Sequence, residues 1–172
     1  MADVSVRLAR PGDAELIARV QQSTWEQAYA ALVGALEVPL EQVAAVWLNA
    51  IEAPPSPDHR VLVALDGGSV VGFAAWEPTA DGVELSALMV EPRWGRRGHG
   101  SRLLQAAVEH WSSFEVALTW VFEADTVLSG FLASAGWDFD GLGRGLDTGE
   151  RLVPQRRMHT DIRPDVGGSP TA

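Results

Sequence analysis

Between Val90 and Ser101 the chain reads Val-Glu-Pro-Arg-Trp-Gly-Arg-Arg-Gly-His-Gly-Ser, a run that ends one element and opens another. Upstream, Val83 to Val90 is a largely apolar strand that Pro92 halts; downstream, Leu103, Leu104, Ala107, Val108 and Trp111 recur at helical spacing. A strand therefore hands the chain to a helix through a turn of glycines and arginines. At such a helix start the first backbone N–H groups lack intrahelical partners, and the positive end of the helix dipole faces outward. Gly98 and Gly100 let an anion approach with no Cβ in the way. Arg93, Arg96, Arg97 and Arg102 crowd into the same stretch of a chain whose formal net charge is −10 and which has no lysine. An isolated Gly-x-Gly is also what an ordinary solvated turn looks like. The arginines and the strand-turn-helix setting favour an acidic ligand.

Two phosphate-binding classes drop out at once. Without lysine there is no Walker sequence, and Gly98-His99-Gly100-Ser101-Arg102-Leu103 lacks the third glycine of the dinucleotide fingerprint. At 172 residues, 47% of them hydrophobic, the chain has material for one core, and residues 1–162 read as a single domain followed by a polar 163–172 tail. The absence of cysteine removes disulfides, thiolate metal sites and a cysteine nucleophile. His59, His99, His110 and His159 are scattered, so no metal site is expected, and no Gly-x-Ser-x-Gly elbow supports a serine hydrolase. The N-terminus has no signal-peptide pattern and no apolar run is long enough to span a bilayer, which gives a cytoplasmic expectation without membrane association. The acidic balance disfavours nucleic acid and attracts cationic amines.

Along the chain, Val4, Val6 and Leu8 alternate as a strand, and Asp13 stands where it can cap a helix from Ala14. A second helical region carries Trp25, Tyr29, Leu32 and Val33, and Leu40 to Leu48 gives a third apolar face. Ala53-Pro54-Pro55-Ser56-Pro57 reads as a loop. Val61–Leu65, Val70–Trp76 and Val83–Val90 form a meander with turns at Asp66-Gly67-Gly68 and Asp81-Gly82. Val116–Phe122 is the next strand; a helix from Thr126 follows, capped by Asp125 and ended by Gly136. Strands at Trp137–Gly141 and Pro154–Ile162 close the chain, with Gly141–Gly149 as a hairpin between them.

The pattern Val-x-Pro-x-x-(Gln/Arg)-x-x-Gly-x-Gly before a Leu-Leu helix resembles the pyrophosphate loop of the GNAT N-acetyltransferases. The order β-α-α-β-β-β-α-β-α-β-β resembles that family over about 160 residues. The resemblance implies an α/β (α+β) fold: a central mixed, mostly antiparallel sheet with a splayed parallel strand pair, flanked by helices. It also implies acetyl-CoA as cosubstrate, its pantetheine arm lying between the splayed strands against Leu88, Met89 and Val90. Gly95, Arg96, Arg97, Gly98, His99, Gly100 and Ser101 would hold the pyrophosphate, His99 through its backbone N–H, with Asp125 at the family's usual Asn. A small-molecule or peptide amine would be the acceptor, reached past Trp25 and Tyr29, and a homodimer is common in the family.

Three positions depart from the family pattern. Gly95 replaces the first Gln/Arg of the loop, Asp125 the Asn, and Leu132 the tyrosine that commonly protonates the departing thiolate. Ser129 and Ser134 flank that position as proton relays at best, and Tyr29, the one tyrosine, would have to reach in from the first helical region. For the base, Glu84 is the first choice, on the strand that leads to the glycine loop with Val83 and Leu85 beside it; alternation puts it on one face with Ser86 and Leu88. It reads equally as an edge carboxylate facing solvent. Glu26 and Glu123 are weaker alternatives. The functional expectation is an amine acetyltransferase working by direct attack; the alternative is a catalytically weak acetyl-CoA-binding module.

Overall fold

The computed structural model describes residues 3–35 and 37–163. Of the 163–172 tail only Arg163 is among them; the rest of that expectation lies outside the described residues. The strands are β1 (Val4–Leu8), β2 (Arg60–Asp66), β3 (Ser69–Thr79), β4 (Gly82–Val90), β5 (Val116–Phe122), β6 (Asp138–Asp147) and β7 (Leu152–Asp161). The helices are α1 (Ala14–Thr24), α2 (Ala30–Val33), α3 (Leu40–Glu52), α4 (His99–Glu109) and α5 (Thr126–Ser134). One seven-stranded sheet runs in the order β1-β2-β3-β4-β5-β7-β6, antiparallel throughout except for the parallel pair β4–β5. No helix among the described residues is long and apolar enough to cross a membrane.

The middle of the sheet is apolar on both sides, which is why β3 reads as an almost unbroken hydrophobic run rather than an alternation. Phe73 and Ala75 meet Ile17 and Val20 of α1 on one face. Ala74 and Trp76 meet Leu103, Leu104, Ala107 and Trp111 of the α4 side on the other. The helical spacing around Leu103 is the inner stripe of α4, with Leu103 and Ala107 fully enclosed.

β4 and β5 ladder only at Val83–Ala117 and Glu84–Leu118. Beyond that point the strands diverge, and the Thr119 hydroxyl bridges the fork by donating to the Leu85 carbonyl at 2.6 Å. On its other side β4 is bulged: Ala75 pairs with Ala87 and Trp76 with Leu85, so Ser86 is extra, its hydroxyl donating to the Ala75 carbonyl. The bulge overturns the expected shared face of Glu84, Ser86 and Leu88. Before it Val83 and Leu85 face α4; after it Leu88 and Val90 do, while Ala87 and Met89 face α1 and α3. Glu84 therefore lies on the side of Ala87 and Met89, opposite Leu88.

Other boundaries also move. Asp13 makes no side-chain cap on α1; its carboxylate takes the Arg10 backbone N–H and both terminal nitrogens of Arg7, the nearer at 2.6 Å, because a buried carboxylate needs a charged partner more than a helix needs a cap. The Trp25 region is not a separate helix start: α1 runs directly into a π-helical turn at Trp25–Tyr29, then α2. The expected Gly141–Gly149 hairpin is mostly strand, since β6 reaches Asp147 and the connection to β7 spans only 148–151. Pro154 sits inside β7 opposite Gly145, and its carbonyl accepts the Glu123 N–H.

Candidate active site

α4 begins at His99 with Gly98 as its N-cap. The first bond of the helix runs from Arg102 N to the Gly98 carbonyl, 3.1 Å. Among the described residues, the backbone N–H groups of residues 96 to 101 donate to no protein atom, which leaves six successive donors at the positive end of a helix. Two left-handed residues shape the turn: Arg96 at φ 60 and Gly98 at φ 81. A Cβ on Gly98 would lie 2.9 Å from the Arg102 guanidinium, which itself donates to the Arg97 carbonyl. The shape of the turn is thus set by backbone, and the φ of Arg96, unusual for a residue with a side chain, is held in the same turn.

A cavity of about 980 Å³ opens from this turn past the end of β4, at Leu88 and Val90, to the 124–128 segment that follows β5. Of the residues expected from sequence, Leu88, Val90, Gly95, Arg96, Gly98, His99, Gly100, Ser101, Asp125 and Tyr29 line it. Met89, Arg97, Trp25 and Glu84 do not. The Met89 side chain is turned away by the bulge, so only its backbone belongs to the splayed edge. Arg97 lies over the Trp94 ring, 4.9 Å from its centroid. Trp25 is a strut: its Nε1 donates to the Gly34 carbonyl at 3.0 Å and its ring packs on Tyr29. His99 presents backbone only, its ring being 1% exposed against Trp94 with Nε2 3.2 Å from the Asp66 carboxylate. The Pro-rich 53–57 loop does not line this cavity.

Asp125 holds two elements together. One oxygen caps α5 by accepting the Leu128 N–H at 2.9 Å, and the other accepts the Tyr29 hydroxyl at 2.6 Å. Tyr29 does reach the cavity from the first helical region, stacked against Phe122 at 5.4 Å. Burial first, and then the Asp125 carboxylate, raise its pKa well above the usual phenol value, so its proton is firmly held. Leu132, by contrast, is fully buried in the α4-side core, and Phe131 lines the cavity instead. Ser129 and Ser134 donate to carbonyls of Asp125 and Phe131 within their own helix, which removes them as relays. Thr24 was not anticipated: it lines the cavity 7% exposed, and among the described residues its hydroxyl has no partner.

On the opposite face of the sheet, Glu84 stands directly across from Glu77 of β3 and beside Leu118 of β5. Burial raises its pKa, Arg144 and Arg157 oppose that rise, and Glu77 adds to it. Arg157 crosses the face, donating Nε to Asp140 and NH1 to Asp81 at 2.6 and 2.7 Å. Arg144 lies over the Trp120 ring at 4.2 Å and donates Nε to Gln155. No local signal reveals this group, because Glu77, Glu84, Trp120, Arg144, Gln155 and Arg157 come from five strands and meet only through register.

Comparison with known proteins places these features in a wider set. The acetyltransferase (GNAT) domain family matches residues 57–138, from the loop before β2 to the start of β6. A probable N-acetyltransferase of Mycobacterium tuberculosis is 24% identical over 147 residues, 81% of this chain and 83% of that protein. Among solved structures, a Salmonella typhimurium putative acetyltransferase with its cofactor acetyl-CoA superposes with a TM-score of 0.73, at 19% identity, covering 98% of both chains. The PaiA N-acetyltransferase of Thermoplasma acidophilum in complex with coenzyme A gives 0.70 at 19% identity, covering 92% of this chain and 99% of that one.

Proposed function

We propose that this chain, whose residues 57–138 match the acetyltransferase (GNAT) domain family, transfers the acetyl group of acetyl-CoA to a primary amine by direct attack, with Glu84 as general base. The observation that carries the reading is one cavity that joins the turn of six unbonded N–H donors at α4 to Leu88 and Val90 on the stretch of β4 that no longer ladders with β5. Residues 96–101 suit the pyrophosphate, and the unladdered edge of β4 beyond Leu85 offers amide partners to the pantetheine arm. Bound there, acetyl-CoA supplies an activated acyl group with a thiolate as leaving group.

Glu84 lies one residue before the fork, on the face opposite Leu88 and Val90. Cofactor and acceptor thus approach the fork from the two sides of the sheet. The carboxylate takes the proton of the ammonium, directly or through a water; the nitrogen forms its bond to the acetyl carbon as the carbon–sulfur bond breaks. An N–H of the β4 edge near Met89 or Val90 polarises the carbonyl oxygen. With Leu132 in the core and both serines committed to their own helix, the thiolate leaves without a neighbouring acid at those positions and takes its proton from water. That same fact favours the second reading, a slow or silent acetyl-CoA-binding module.

Calorimetric titration with acetyl-CoA, followed by thiol release across an amine panel, separates the two. Binding with release from at least one amine is the result expected; binding without release from any amine selects the binding module, and absence of binding overturns both.

A further inference from the structure

Resting on that reading, we propose that the acceptor is an amine bearing a carboxylate near its nitrogen, an amino acid or a close analogue, with Arg144 receiving the carboxylate while the amine faces Glu84. Arg144 is a prepared anion receptor. Its plane lies over Trp120, 4.2 Å from ring centroid to guanidinium carbon, and its Nε donates to Gln155 Oε1 at 2.7 Å. Among the described residues its two terminal nitrogens bond to no protein atom and no carboxylate lies within 4 Å of it. The fork of donors that pairs with a carboxylate is therefore open and fixed in orientation.

The second arginine of this face is differently placed. Arg157 is compensated twice, by Asp81 and Asp140, and has little charge left to offer a ligand. Arg144 has only a neutral partner, yet it acts on Glu84 through charge while remaining beyond salt-bridge distance. One negative group and one positive group, set by register on the same face of the sheet without touching, match a ligand that carries the opposite pair. A diamine would set its second cation against Arg144, so the acidic balance of the whole chain, which points to polycations, is locally reversed. A peptide N-terminus offers an amide where the carboxylate should be and forgoes the charged pair.

The test compares matched acceptors. Thiol release from acetyl-CoA is measured with L-amino acids, with their amides, and with the amines left when the carboxylate is removed. The charged pair should favour the carboxylate form by roughly 10- to 100-fold in kcat/KM. Arg144→Gln should erase that gap by raising KM for the amino acid far more than for its amide or the decarboxylated amine, with the calorimetric affinity for acetyl-CoA held. Arg144→Glu should shift preference toward diamines. Equal rates on the three forms, or a preference that survives in Arg144→Gln, overturn the proposal while the transferase reading stands. Acetyl-CoA binding without thiol release from any acceptor overturns the transferase reading and this proposal together.

Discussion

The proposed anion cradle and the proposed acceptor face lie on opposite sides of β4, and they are built from different material. The cradle is contiguous, residues 96–101, and its working parts are N–H groups that every one of those residues has. The acceptor face is assembled from single side chains on β3, β4, β5, β6 and β7, each held by a neighbour from another strand. A site made of backbone is indifferent to side-chain chemistry and intolerant of a change in φ. A site made of side chains is the reverse, since a conservative change of backbone leaves it intact while the loss of one charged atom removes its role. The two sites should accordingly fail in different ways.

The largest effect is expected at Glu84. Glu84→Gln keeps the volume and removes the proton acceptor, so amine acetylation at neutral pH should fall by about 10²- to 10⁴-fold while acetyl-CoA affinity, read by calorimetry, holds. In the unmodified protein the rate should fall as pH drops through the pKa of Glu84. Burial raises that pKa above the ordinary glutamate value, so the acid limb should lie higher than a solvent-exposed glutamate would give. A loss of less than about tenfold in Glu84→Gln would mean that the carboxylate merely faces solvent, and the comparison would lose one of its sides.

The same contrast governs how much the sequence discloses. The cradle is legible because its glycines, arginines and strand-helix junction are adjacent in the chain and each has a local physical meaning. The helix stripe of α4 and the cap of α5 at Asp125 are legible for the same reason. Ser86 is not: nothing in Leu85-Ser86-Ala87 announces a bulge, yet one extra residue reverses which neighbours Glu84 keeps. Gly141, Gly143 and Gly145 look like turn residues, and alternate glycines read as breakers. In the fold they lie along an edge strand where β7 supplies the pairing, so tertiary context overrides propensity and carries Arg144 to Trp120. Tyr29 enters the cavity because α1 continues through a π-turn, a feature of backbone geometry with no residue signature.

A smaller effect tests the cradle by its own logic. Gly98→Ala forces a side chain into φ 81 and sets its Cβ 2.9 Å from the Arg102 guanidinium. The strain is about 1–2 kcal/mol; a free variant that relaxes out of the turn must regain it on binding, about a fivefold to thirtyfold loss of acetyl-CoA affinity. Arg97→Gln, which removes a full charge from the same loop but only a stacking contact on Trp94, should change affinity less than Gly98→Ala does. If the arginine substitution proved the more damaging, the cradle would be a side-chain site after all, and the distinction drawn between the two faces of β4 would fail.

The smallest effect concerns stability, and here the sign differs from that of the familiar paired carboxylate. Asp13 is held below the usual carboxylate range chiefly by its hydrogen bonds with Arg7, so its contribution is present above the ordinary carboxylate pKa and is lost as pH falls through the lowered one. Glu84 is shifted upward: the folded protein binds its proton more tightly than the unfolded chain does. Its contribution is full below the ordinary glutamate pKa and is lost as pH rises through the raised one. At neutral pH the buried charge is a net cost, reduced by solvent and by Arg144. Glu84→Gln should therefore raise the melting temperature slightly at pH 7, by the equivalent of a few tenths to about 1 kcal/mol, with the gain vanishing near pH 4. A variant that is slower in catalysis and yet more stable only where Glu84 is ionised identifies a carboxylate kept in place for chemistry; a variant destabilised at pH 7 assigns Glu84 to the fold, as a partner of Arg144 rather than of an amine.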